Sequence, residues 1–210
     1  MTDPNFHIVT PRLYLSYFQP SNPNHCDFLV TLWNTPEFIA SIGGKPTSIT
    51  TRGAAEALIA GRFRAEHARN GYGMFLVSLK SSTPDYPADS SAPFSEHLEK
   101  CKPIGTVSLM RGEPPNAYTA PDVGFAILPE EMRRGYTKEA AEGVMAWAEA
   151  ERGVRDVLGL TEPSNEASQG VFRSLGFEDR GIHSLKVFGG VKGSVWTKKG
   201  MHSDVSEYGI

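Results

Sequence analysis

Residues 123–140 read VGFAILPEEMRRGYTKEA. An apolar run stops at Pro129, two arginines and a glycine follow, and the pattern then turns helical. That order builds an anion site. The first N–H groups of a helix have no partner inside it, and the helix dipole adds partial positive charge there. Gly135 lets the main chain approach a ligand with no Cβ in the way. Arg133 and Arg134 carry charge and donors that suit phosphate oxygens. Taken alone, the segment reads equally well as a plain strand-to-helix connection with two solvated arginines. Other nucleotide signatures are absent. There is no G-x-G-x-x-G, and GGKPT at 43–47 lacks the upstream glycine of a phosphate loop, with Pro46 interrupting the lysine–hydroxyl pair.

A second stretch, LTEPSNEASQGVFRSLGF at 160–177, is a strand, a turn and a short helix that Gly176 ends. Asn165 stands where that helix starts and is a natural N-cap. Ser168 follows one turn later. Its hydroxyl can donate a proton, and it can equally be an ordinary helix-surface serine.

Both stretches need a scaffold. The 210 residues carry a formal charge of −3, with 40% hydrophobic and 21% charged residues. That suits one globular domain over 1–210 with a real core, and argues against disorder and against a nucleic-acid partner. Two cysteines, Cys26 and Cys101, give no disulfide framework and point to a reducing compartment. The six histidines show no ligand spacing, so no metal is expected. No secretory signal, membrane span or lipidation box is visible, which makes a cytoplasmic location and no membrane partner the expectation. Gly 21 and Pro 15 are high counts and mark a loop-rich chain.

Periodicity predicts strands at 12–18, 73–79, 104–110, 122–128, 154–161, 177–188 and 194–199. Helices are predicted at 25–33, from 50 or 51 to 70, at 139–151 and at 165–175. The polar, aperiodic stretch 81–102 reads as an inserted mobile loop. The expected fold is α/β (α+β): a mixed central sheet of about seven strands with helices on both faces, in the order β-α-α-β-β-β-α-β-α-β-β.

The two chemistry-bearing stretches together resemble the GNAT superfamily of N-acetyltransferases, and most of all its ribosomal-protein N-terminal acetyltransferase branch. R-R-G-Y-x-x-E-A followed by N-x-x-S-x-x-V-F-x-x-L-G-F carries the likeness. TPRLYL at 10–15, TPEF at 35–38, KPIGTV at 102–107 and DVGF at 122–125 fall where the family has similar words. The family's loop often reads Q/R-x-x-G-x-G/A; here Met132 replaces the first polar residue and Thr137 the last small one.

The resemblance implies a cosubstrate, acetyl-CoA. Its pyrophosphate would lie against Met132, Arg133, Arg134, Gly135, Tyr136, Thr137 and Lys138. Ile127 and Leu128 would give main-chain contacts beside the pantetheine arm, and an N–H near Ile127 would face the developing oxyanion. Asn165 would bond that arm. Ser168 would protonate the departing thiolate, and Asp122, where the branch often carries a glutamate, would accept the proton of the amine. Glu130 and Glu131 are poorer bases, read as solvated loop acids. Trp33, Phe38, Tyr72, Phe188 and Trp196 would line the acceptor pocket, although aromatic residues in such elements more often belong to the core. The implied reaction is direct attack of a primary amine, from a small molecule or a protein N-terminus, on the thioester in a ternary complex. The branch includes homodimers; nothing in these residues establishes one. The competing reading is a non-catalytic acyl-CoA-binding or scaffold domain that keeps the fold.

Overall fold

The computed structural model describes residues 3–80 and 92–210. Its strands are β1 (His7–Val9), β2 (Leu13–Tyr17), β3 (Met74–Leu79), β4 (Lys102–Met110), β5 (Asp122–Ile127), β6 (Leu158–Thr161), β7 (Glu178–Leu185) and β8 (Val191–Thr197). The helices are α1 (Pro23–Trp33), α2 (Pro36–Ser41), α3 (Arg52–Leu58), α4 (Arg64–Asn70), α5 (Phe94–Leu98), α6 (Tyr136–Arg152) and α7 (Glu166–Ser174). A π-helical turn, Ile59–Phe63, joins α3 to α4.

Among the described residues all strands form one eight-stranded sheet, ordered β1-β2-β3-β4-β5-β6-β8-β7. Of these eight strands β5 and β6 run parallel, and the other pairings among them are antiparallel. A parallel pair needs a long crossover, and α6 supplies it. The mixed sheet follows the sequence expectation, with one strand more: the three-residue β1 is too short to show a period. The polar stretch expected as a loop at 81–102 lies partly outside the described residues. Its described end carries α5, whose Phe94 and Leu98 pack with Tyr14 and Cys101.

The sheet faces are covered unequally. One face packs under α6 and α7 through Leu13, Leu15, Phe75, Val107, Val123, Val144, Phe172 and Trp196. On the opposite face, α1 and α3 cover β2 and β3 through Leu29, Ala55, Ile59, Phe63 and Leu76. Beyond β5, Tyr118 and the C-terminal turn Val205–Tyr208 cover Leu158 and Val195. Between these two patches, alternation leaves Thr106 and Ser108 of β4 and Asp122, Gly124 and Ala126 of β5 on the opposite face. They form a strip of small and polar residues at the middle of the sheet.

The same place is where the sheet comes apart. Asp122 with Leu158 is the one register pair between β5 and β6. Past it the strands share none, and Gly124 to Ile127 are only half-buried although β5 is central. Phe172 of α7 sits under this split: its ring stacks on Trp196, 5.9 Å away, and meets Phe125 at 5.5 Å. Gly159 makes room for it, since a Cβ there would lie 2.5 Å from Cε1 of that ring. Gly159→Ala is therefore expected to overpack the split, costing about 1–3 kcal/mol of stability, read from the urea midpoint. An unchanged midpoint would show that Phe172 is free to move.

Candidate functional site

The free edge of β5 follows from its register. The Leu128 N–H donates to the Ile104 carbonyl at 2.8 Å. Alternation then turns the N–H groups of Leu128, Ala126, Gly124 and Asp122 toward β4, and those of Ile127, Phe125 and Val123 away from it. On that far side the Leu158 N–H donates to the Pro121 carbonyl at 2.8 Å, within the single bridge. The N–H and C=O groups of Phe125 and Ile127 thus face an open gap and have no partner among the described residues.

This corrects the expectation for Leu128. Its N–H goes to Ile104, and its carbonyl accepts from the Glu131 N–H at 2.9 Å. Strand parity leaves Leu128 no main-chain group for the gap and gives that place to Phe125, which the resemblance puts on the same edge but not among its contacts.

Where β5 ends, a 3-10 turn, Pro129–Glu131, leads into the arginine–glycine turn. The Met132 N–H closes the 3-10 turn on Pro129 at 3.2 Å. From Arg133 through Lys138, no N–H group has a hydrogen-bond partner among the described residues; the first bond of α6 runs from the Glu139 N–H to the Gly135 carbonyl at 3.1 Å. Gly135 takes φ +81° and Arg133 takes φ +62°, left-handed values that are costly for a residue with a Cβ. Successive N–H groups at left-handed residues form concave anion sites. Met132 is exposed, and with its N–H spent on Pro129 it offers the turn no free donor, unlike the expectation for it. Thr137 keeps both its N–H and its hydroxyl at the helix start.

Two carboxylates hold this turn. Before it, buried Glu131 takes Lys102 Nζ on Oε1 at 2.6 Å, with Arg134 Nη1 3.1 Å from Oε2. The hydrogen bond from Lys102 keeps the Glu131 carboxyl below the ordinary glutamate value against the penalty of burial. Glu131 is therefore an anchor and not the solvated loop acid the sequence suggests. After the turn, Glu139 accepts from Thr10 Oγ1 at 2.6 Å, from the Arg12 N–H at 2.7 Å and from Arg12 Nε at 2.6 Å. Burial pushes its carboxyl up, and these bonds together outweigh it and hold the value down. Cations consequently ring the turn, among them Arg12, Lys102, Arg133, Arg134 and Lys138.

Across the gap, the Asn165 side chain caps α7 by accepting from the Ser168 N–H at 3.0 Å. Its amide N–H groups have no partner among the described residues. Ser168 is half-buried and four residues before Phe172, hence on the helix face that packs toward β5.

Asp122 starts β5 at the apex of the split, on the face of the small polar strip. Burial pushes its carboxyl up to about 7. Its own backbone hydrogen bond pulls the other way, Glu66 adds to the rise and Arg62 opposes it. Above the strip the chain after α2 reaches the loop after β6: a Cβ on Gly43 would stand 3.8 Å from Glu162 Oε1.

The five aromatic residues expected around an acceptor do not come together. Trp33 and Phe38 stack on each other with ring centroids 5.3 Å apart, both half-buried between α1 and α2. Trp196 lies in the core on the α6 and α7 face, and Tyr72 is buried beside Arg111 near the Asp122 end of β5. Phe188 is 51% exposed on the turn between β7 and β8. Strand parity and turn placement, which composition does not reveal, separate them. Among the described residues no group of three or more His, Cys, Asp or Glu could hold a metal ion, and no helix is long and apolar enough to cross a membrane.

Comparison with known proteins bears on this geometry. The model of the acetyltransferase (GNAT) domain family matches residues 12–178. A search of curated proteins found no match. Among solved structures, an acetyltransferase from Agrobacterium tumefaciens superposes with a TM-score of 0.65 at 17% identity, covering 91% of this chain and 93% of that one. A ribosomal-protein-S5-alanine acetyltransferase from Vibrio fischeri gives 0.64 at 18%, covering 92% and 96%. A ribosomal L7/L12 α-N-protein acetyltransferase in complex with coenzyme A gives 0.63 at 18%, covering 91% and 97%. At these identities the likeness is one of fold.

The raised Asp122 value makes a stability prediction. A carboxyl whose folded pKa exceeds its ordinary 3.8 favours the fold while protonated, and that contribution is lost as pH rises through about 7. Asp122→Asn should therefore raise the urea midpoint at pH 8 and leave it nearly unchanged at pH 4. Equal midpoints at pH 8 would place the carboxyl in solvent.

Proposed function

The chain belongs to the acetyltransferase (GNAT) domain family, and from that premise we propose that it moves the acetyl group of acetyl-CoA to a primary amine by direct attack in a ternary complex. As a member of that family it is an acyl-CoA-dependent N-acetyltransferase, with acetyl-CoA as cosubstrate. The observation that carries the proposed route is the gap between β5 and β6. It is edged by the unpartnered main-chain groups of Phe125 and Ile127 and ends at the bare N–H groups of residues 133–138.

The residues present fit that cosubstrate. The turn offers donors and positive charge to a pyrophosphate, and Gly135 keeps its mouth clear of a side chain. The Ile127 edge can pair with the amides of an extended arm as a neighbouring strand would. Acetyl-CoA supplies the acetyl group as an activated thioester. At a rise of ~3.3 Å per residue, Asp122 lies roughly 20 Å along β5 from Leu128. That span supports reading the acid as lying toward the inner end of the arm, near the thioester. The Phe125 N–H, two residues nearer Asp122 than Ile127, is the donor best placed for the oxygen that gains charge during attack.

Asp122 takes the proton of the incoming ammonium, directly or through water, and a value near 7 suits that task. Ser168 gives a proton to the departing sulfur. The acceptor reaches Asp122 along the strip of Thr106, Ser108, Gly124 and Ala126, with Trp33 and Phe38 as the aromatic pair on that side. A small amine and a protein N-terminus both satisfy this geometry, and the names of the ribosomal-protein acetyltransferases with this fold favour testing N-terminal peptides among the first acceptors. A cytoplasmic setting accords with such substrates.

Two measurements test the reading. Acetyl-CoA at about 100 times its Kd should stabilise the fold by about 2.7 kcal/mol, seen as a rise in Tm. Release of free CoA over a panel of small amines and N-terminal peptides should identify the acceptor. With that acceptor, Asp122→Asn should lower kcat about 10²- to 10⁴-fold and remove the rate limb near pH 7. Cofactor binding with no turnover against any amine would favour the non-catalytic reading. A full rate in Asp122→Asn would move the base elsewhere.

A further inference from the structure

Arg12 lies just before β2, far in sequence from the turn it touches. Its guanidinium is held on three sides. Nε donates to Glu139 Oε2 at 2.6 Å, and Nη1 donates to the Arg134 carbonyl at 3.0 Å. The plane rests over Tyr136, 4.5 Å from the ring centroid. Nη2 alone has no partner among the described residues, and it stands 3.4 Å from where a Cβ on Gly135 would be. A guanidinium carries five donors in a rigid fork, so fixing two nitrogens also fixes the direction of the third.

We propose that Arg12 is a cosubstrate-binding residue that donates from Nη2 to a phosphate oxygen held over Gly135. The proposal rests on reading the 132–138 turn as the pyrophosphate cradle. Glu139 does not compete for that donor. Its Oε1 is occupied by Thr10 Oγ1 and the Arg12 N–H, and its Oε2 by Arg12 Nε. The carboxylate therefore orients the fork and leaves Nη2 aimed past it. The side chain remains 48% exposed. The same contacts would also let Arg12 serve only as a clamp between the start of β2 and α6, and the experiment must separate a clamp from a ligand.

Binding to the full chain is measured by calorimetric titration with CoA and with pantetheine, which has the same arm and thiol without the pyrophosphate and nucleotide. For Arg12→Ala the Kd for CoA should rise about tenfold to a hundredfold, the loss expected for one charge-assisted hydrogen bond. The Kd for pantetheine should not change. Arg12→Lys keeps the charge without the fork; it should fall between wild type and Arg12→Ala, and it serves as the test variant if Arg12→Ala melts early. Equal weakening of CoA and pantetheine would reduce Arg12 to a clamp and overturn the proposal. Unchanged CoA binding would overturn it as well. A wild-type chain that binds CoA no more tightly than pantetheine would remove the cradle itself, and that result is distinct from the failure of Arg12 alone.

Discussion

One parallel bridge, Asp122 with Leu158, decides what the rest of the molecule can do. At it β5 and β6 join one sheet through their first residues. Above it they separate, and a central strand presents an unpaired edge. Main-chain groups left without partners are costly when water is excluded, and a sheet gains by closing such gaps. Here the gap persists because α7 supports it from one face: Phe172 wedges between Phe125 and Trp196 where Gly159 has no side chain. The opposite face stays thinly covered because β5 brings only Asp122, Gly124 and Ala126 to it. A cleft at the carboxyl ends of diverging strands is where open sheets of this kind take ligands.

The turn above the gap extends the same constraint. Bare N–H groups bind an anion well only if they are already aimed, and the aim is set by backbone that few residues accept. Arg133 at φ +62° represents a cost of order 1–3 kcal/mol. Surrounding contacts must impose it, and Glu131 and Glu139 bracket the segment for that purpose. Each is a shielded carboxylate that meets a cation from a distant element, Lys102 on one side and Arg12 on the other. Lys102 opens β4 and Arg12 precedes β2, so the turn is referenced to two strands of the sheet as well as to its own helix. Fixing the acids with remote cations also leaves Arg133 and Lys138 at the turn itself in solvent.

The sequence displays the part of this arrangement that is local. The arginine–glycine turn was readable because its chemistry needs only adjacent residues and a helix that starts after them. The Asn165 cap was readable for the same reason, as its partner is Ser168 three positions on. Parity was not readable. Whether Leu128 or Phe125 faces the gap depends on which residue of β5 pairs with Ile104, and no property of residues 122–128 states it. The Arg12 contacts join positions more than a hundred residues apart, and the TPRL word at 10–13 resembled the family without indicating a role. Glu131 looked like a loop acid because the cation that neutralises it lies on another strand. The aromatic residues misled for a related reason: size and type suggested a pocket, while the sheet puts Trp196 and Trp33 on opposite faces.

Asp122 shows how the split and the chemistry depend on each other. A strand-end aspartate in water would be fully ionised near neutral pH and a weak base. Burial at the end of the strip lifts its carboxyl to about 7, and Glu66, itself buried and paired with Arg69, adds to the rise. Arg62 limits it. The fold thus holds one acid at the apex of the gap in a state where it can gain or lose a proton near neutrality, at a cost to stability. Shifting β5 by one residue against β4 would turn that carboxyl to the α6 face, because successive side chains alternate. The residue at which the two strands part is therefore also the one whose carboxyl can take or lose a proton near neutrality.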